Sequence, residues 1–185
     1  SLPRIIRSYS LHRGFELHVL GKRSERARGE KSHFDVVLGA DCYYFHPAYD
    51  QAVNYRFPTS NDLIISSEST LAYEFLARGY RVGFVAARLN LAGLQHRKDC
   101  HFGFPLEIES KGPFWTSECT QEEVFRVLDF VNSCGDDAWV AATEQLRNEL
   151  MIFDEKNQFF CELLDKIGIR NTGPRLWQTE FIPSN

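Results

Sequence analysis

Residues 62–86 read DLIISSESTLAYEFLARGYRVGFVA. An apolar run ends in the hydroxyls Ser66, Ser67, Ser69 and Thr70, with Glu68 among them. An amphipathic stretch follows, then Gly79 and a second apolar run through Val82 and Phe84. Short apolar runs bounded by turn residues read as buried strands, and Leu71, Ala72, Phe75 and Leu76 fall on one face of a helix over 69–78. Two strands joined by such a crossover run parallel, with a right-handed connection. This one segment therefore predicts an α/β fold.

The flanking sequence fits the same class. PRIIRSYSLHR predicts a helix over 3–13, with Pro3 early and Gly14 as the stop. FELHVLG alternates and reads as a strand, KRSERARGEKSHF as a loop or short frayed helix, and FDVVLG as another strand. Residues 40–60 are aromatic without a period and read as irregular, and about thirty residues after 87 read as loop. Helices then dominate. Thr120 and Glu123 form a capping box before Val124, Val127, Leu128 and Val131. A second helix is expected from Asp136 or Asp137 as cap, and a third from Asp154 to the stop at Gly168. With no internal repeat and no linker, residues 1–170 are expected to form one Rossmann-like domain, and 171–185 an irregular tail.

Bulk properties exclude several classes of function. At 43% hydrophobic and 25% charged, the 185 residues can bury a core and are not a disordered chain. A net charge of −4 gives no electrostatic reason to expect nucleic acid or an anionic membrane as partner. Cys42, Cys100, Cys119, Cys134 and Cys161 show neither C-x-x-C nor other metal spacing, and six histidines, including His18, His46 and His101, add none. No metal site is expected, and the thiols read as reduced and cytosolic. No signal peptide and no membrane-spanning run are read from the sequence.

In an open parallel sheet, ligands bind beyond the carboxyl ends of the strands. The first strand of the opening segment points that end at the hydroxyl cluster, where the next helix offers unpaired N–H groups and the positive end of its dipole. Ser66, Ser67, Ser69 and Thr70 suit a phosphate without any lysine; the plainer alternative is N-capping, for which one serine is enough. Glu74 lies one turn beyond Thr70 on the side away from the apolar face. It is placed either to accept ribose hydroxyls or to pair with Arg78. Lys22 and Arg23 follow the strand FELHVLG, within a charged stretch that equally suits a solvated loop. HFGFP and GPFW could wall a base pocket or simply fill the core.

The stretch SESTLAYEFLARGYRV resembles the nucleotide-binding segment in the C-terminal half of two-domain (GT-B) glycosyltransferases, with Glu74 and Gly79 in the family's spacing. The order of segments around it, roughly residues 3–167, is also similar to bacterial transferases that build surface carbohydrates. Sugar-nucleotide epimerases share a comparable serine-rich turn. The resemblance implies one Rossmann-like half of a GT-B fold that binds a nucleotide-sugar as substrate, with no further cofactor. Ser67, Ser69, Thr70, Lys22 and Arg23 would hold the donor phosphates and Glu74 the ribose. Cations and amides there would stabilise charge on the departing nucleotide.

The implied activity is sugar transfer to a polysaccharide or lipopolysaccharide precursor, in the cytoplasm or at the inner face of the membrane through partners. The chain has room for one half only and opens with a helix where the family half opens with a strand. An acceptor-binding half, which commonly supplies the catalytic base, is expected on a partner chain or elsewhere in a longer protein. Little transfer is expected without it. The alternatives are an epimerase or hydrolase of the same fold, or a non-catalytic nucleotide-binding subunit.

Overall fold

The computed structural model describes residues 1–22, 29–48, 55, 57–90, 98–154 and 157–169. It divides into two compact units, residues 1–152 and 153–185. In the first unit the order is α1 (Leu2–Arg13), β1 (His18–Leu20), α2 (Glu30–Leu38), β2 (Tyr44–His46), β3 (Ile64–Ser66), α3 (Thr70–Ala77) and β4 (Val82–Val85). Two short 3-10 turns then lead to β5 (Lys111–Gly112), β6 (Trp115–Thr116), α4 (Gln121–Ser133) and α5 (Asp136–Leu150). The second unit contributes α6 (Gln158–Lys166).

The opening segment folds as its pattern predicts. β3 and β4 pair in parallel, with Ile64 opposite Val82 and Ser66 opposite Phe84, and α3 joins them. The described strands lie in two sheets: β1–β2, parallel, and the four-stranded β3–β4–β6–β5. β6 runs parallel to β4 and antiparallel to β5. The chain is thus α/β, with strands of only two to four residues.

Packing explains where the strands sit. All four residues of β4 are buried, as a central parallel strand requires. α3 turns Ala72, Phe75 and Leu76 inward to meet Val82, Phe84, Phe114 and Trp139 in one core. α4 covers β4 and β6, and a methyl at Gly83 would sit 3.0 Å from Val127 Cγ1, so the helix approaches closely because that side chain is missing. A second cluster joins Tyr9 of α1 to Val85, Val124 and Leu128. The Tyr9 hydroxyl donates to Asp129, and burial first, then that carboxylate, pushes its pKa up to about 12. Arg81 clamps β4 to the α4–α5 corner, donating to the Val131 carbonyl at 2.9 Å and to Asp136 at 2.8 Å.

Several expectations need correction. FDVVLG is not a strand but the second half of helix α2. Leu38 is buried and Phe34 and Val37 half-buried, whereas Val36 is 79% exposed, a helical period rather than an alternating one. Lys31 pairs with Asp35 one turn on, at 2.9 Å, and Gly39 stops the helix at φ 90°. Residues 44–46, read as irregular, are strand β2, and β5 and β6 lie within the stretch read as loop. Thr120 does cap α4 through the Glu123 amide, but the Glu123 carboxylate meets Thr116 and Arg126 instead of returning to the cap. Gly135, not an aspartate, is the cap of α5, because Asp136 serves Arg81. Asn157, not Asp154, is the cap residue of α6, while the Asp154 carboxylate accepts the amides of Gln158 and Phe159 from three residues upstream. The tail 171–185 lies outside the described residues.

Candidate functional site

Because β3, β4 and β6 are parallel neighbours, their carboxyl ends open on one edge of the sheet. Hydrogen bonds tie the segments beyond them together. Ser66 Oγ accepts the Ser69 amide at 3.2 Å, and Ser67 Oγ accepts the Ala87 amide at 3.3 Å, linking the serine loop to the end of β4. The Ala86 amide donates to the Thr116 carbonyl at 2.9 Å, linking that end to β6. The Gly103 amide donates to the Tyr73 hydroxyl at 3.0 Å, holding the 98–106 turn against α3. Tyr73 also stacks on Phe102, their rings 5.6 Å apart.

Within this frame, Ser67 is half-buried, and Ser69 and Thr70 are exposed. Ser69 occupies the N-cap position of α3, yet its hydroxyl makes no capping bond. Ser67, Ser69 and Thr70 are therefore brought together at the helix N-terminus. Glu74 is half-buried and accepts a hydrogen bond from the Tyr55 hydroxyl, which chiefly for that reason titrates above its ordinary value. The Arg78 guanidinium lies 5.3 Å from the centre of the Tyr55 ring. Lys22 follows β1 in the other sheet, where its amide donates to Glu30 at 2.9 Å. Arg23 lies outside the described residues.

Sequence reasoning passed over four groups here. Arg88, in the turn after β4, donates to Glu68 Oε2 at 3.0 Å and remains 63% exposed. The other Glu68 oxygen, Oε1, is buried without a hydrogen-bond partner among the described residues. The Glu68 charge contributes to the raised pKa of Tyr73, after burial as the main cause. His101 Nδ1 lies 2.9 Å from Ser117 Oγ, just beyond β6. The signal for Arg88 was present, since it follows β4 as the serine loop follows β3. His101 and Ser117 gave none, because β6 itself was not read. Among the described residues the edge thus combines hydroxyl donors, a helix N-terminus and Arg88, with the Glu74 carboxylate one turn on, a set suited to a ligand with both phosphate and hydroxyl groups.

Two open cavities lie elsewhere. One of about 460 Å³ is lined by Arg4, Arg7, Leu11 and Val36, and one of about 410 Å³ lies by Asp62, Arg81 and Asp136. Among the described residues no group of three or more His, Cys, Asp or Glu side chains could hold a metal ion, and no helix is long and apolar enough to cross a membrane.

A family model described as "putative O-antigen biosynthesis protein" matches residues 2–168. No curated protein and no solved structure matches the chain.

Proposed function

The chain belongs to this O-antigen biosynthesis family, and on that premise we propose that it binds a nucleotide-sugar at the carboxyl edge of β3, β4 and β6 and transfers the sugar to a surface-polysaccharide precursor. The observation that carries the reading is the Ser69 cap. Its hydroxyl makes no capping bond and its amide is already satisfied by Ser66, so helix capping does not account for the cluster. The exposed hydroxyls of Ser69 and Thr70, with Ser67 behind them, take a donor phosphate at the positive end of α3. Arg88 swings from Glu68 to the phosphates and steadies the leaving nucleotide. Glu74 receives the ribose.

Lys22 and Arg23 contribute to donor binding only if the segment after β1 reaches this edge. A Rossmann-like donor half of a GT-B enzyme would need an acceptor-binding half opposite, on a partner chain or in a longer protein, and would work at the cytoplasmic side of the membrane. Thermal-shift screening across UDP, GDP, CMP and their sugars tests the reading. A ligand present at 100 times its Kd stabilises the fold by about 2.7 kcal/mol. Upward shifts with one base and its sugar conjugates are expected, and a flat profile for every nucleotide would count against the whole proposal.

A further inference from the structure

Sugar transfer requires a group that accepts the proton of the attacking hydroxyl, and the residues assigned above to donor binding leave that role open. Arginine and the serine and threonine hydroxyls are poor bases at neutral pH. Glu68 is paired with Arg88, and Glu74 with Tyr55. His101 stands at the same edge. Ser117 follows β6, and β6 is the parallel neighbour of β4, so its hydroxyl lies on the edge that carries Ser67 and Arg88. That hydroxyl is 2.9 Å from His101 Nδ1.

Both partners are held from behind. The Ser117 amide donates to the Ser110 carbonyl at 2.8 Å. On the other side, Phe102 is buried and the Gly103 amide is fixed on Tyr73. His101 is itself only half-buried, and Ser117 is the one hydrogen-bond partner of its ring among the described residues, with none given to Nε2 there.

We propose that His101 is the general base of this edge and that Ser117 is its positioning residue. With Nδ1–H donated to Ser117 Oγ, the lone pair of the neutral ring stands on Nε2. As the attacking oxygen, from a glycan hydroxyl or from water, bonds to the anomeric carbon, its proton passes to Nε2. The bond from that carbon to the donor phosphate oxygen breaks, and its electron pair leaves with the nucleotide. This inference rests on the nucleotide-sugar reading above and adds to it a base carried by this chain.

The test follows nucleotide release from UDP-, GDP- and CMP-sugars by the full chain, with water as acceptor, beside calorimetric binding of the free nucleotides. His101→Gln preserves a hydrogen-bonding side chain but cannot take the proton. It is expected to slow release at least about 100-fold while affinity is unchanged. Ser117→Ala lowers release by a smaller factor, and Ser117→Thr, which keeps the hydroxyl, restores it. Undiminished release by the His101 variant, a parallel loss of affinity and release, or no release by the wild-type chain from a donor it binds would overturn the assignment. A wild-type chain that binds no nucleotide would instead sink the nucleotide-sugar reading, and His101's role with it.

Discussion

Ser66 Oγ accepts the amide hydrogen of Ser69 at 3.2 Å, so the turn before α3 is closed from the strand side rather than by the cap residue's own hydroxyl. Two neighbouring serines therefore have different duties. Ser66→Ala removes a bond that holds the loop and is expected to destabilise the fold by about 1 kcal/mol. Ser69→Ala removes no protein hydrogen bond at the cap and should cost well under about 1 kcal/mol. Denaturant melts of the two variants check the order; a larger loss for Ser69→Ala would show that its hydroxyl caps the helix in solution.

Glu123 anchors the β5–β6 corner to α4, with its side chain 14% exposed. It accepts from Thr116 Oγ1 at 3.1 Å and from Arg126 at 3.0 Å, and Arg126 in turn donates to the Gly112 carbonyl. The bond from Arg126 chiefly holds its carboxyl below the ordinary 4.5, with Thr116 and Lys111 adding and burial opposing. A carboxyl depressed on folding contributes stability that is fully present above its unfolded value and is lost as pH falls through the folded one. Stability should therefore drop as pH falls below about 4.5, and Glu123→Gln should flatten that part of the profile. At pH 7 the variant is expected to lose about 1–3 kcal/mol. Urea melts from pH 7 down to pH 2.5 decide it, and an unchanged acid slope in the variant would assign the effect to other carboxyls.

Phe114 is fully buried and meets Phe84, Phe102, Trp115 and Trp139 edge-on, at ring separations of 5.0 to 6.5 Å. It is the side chain on which β4, the 98–106 turn and α5 converge. Phe114→Ala should cost about 3–5 kcal/mol. A loss under about 1 kcal/mol in equilibrium unfolding would mean that these elements do not pack together as described.

What could be read from the sequence followed the strength of the local signal. The β3–α3–β4 unit, the Gly14 stop of α1 and the Thr120 cap of α4 are set by residues within one element, and periodicity and cap chemistry located them. α2 failed because Phe34, Val36, Val37 and Leu38 form an apolar run too short to show its period, and only the exposure of Val36 separates helix from strand. β2 and β6 are two or three residues long and exist through pairing with distant strands. The same reason hid half of the candidate site. Ser69, Thr70 and Glu74 lie within two turns of one segment, whereas His101 and Ser117, sixteen residues apart, meet only through the tertiary fold.

Glu74 and Tyr55 give a test of the ribose assignment. A carboxylate has room for the Tyr55 hydroxyl and for a ligand hydroxyl together. Glu74→Gln is expected to weaken binding of the best nucleotide about tenfold, in line with one hydrogen bond to a charged group. Tyr55→Phe, which removes only the orienting bond, should weaken it less. If both variants lose stability while calorimetric affinity stays constant, Glu74 is an acceptor for Tyr55 and nothing more.

The doubly substituted chain Ser69→Ala, Thr70→Ala, titrated by calorimetry with the nucleotide that gives the largest thermal shift and melted in urea in parallel, separates a phosphate site from a helix cap. Two donors to a charged phosphate contribute about 3 kcal/mol, so affinity should fall about 100-fold. Stability should change by less than about 1 kcal/mol, because Ser69 makes no cap bond. Unchanged affinity with a stability loss of about 1 kcal/mol or more would contradict the phosphate site and leave the serine cluster as the start of a helix.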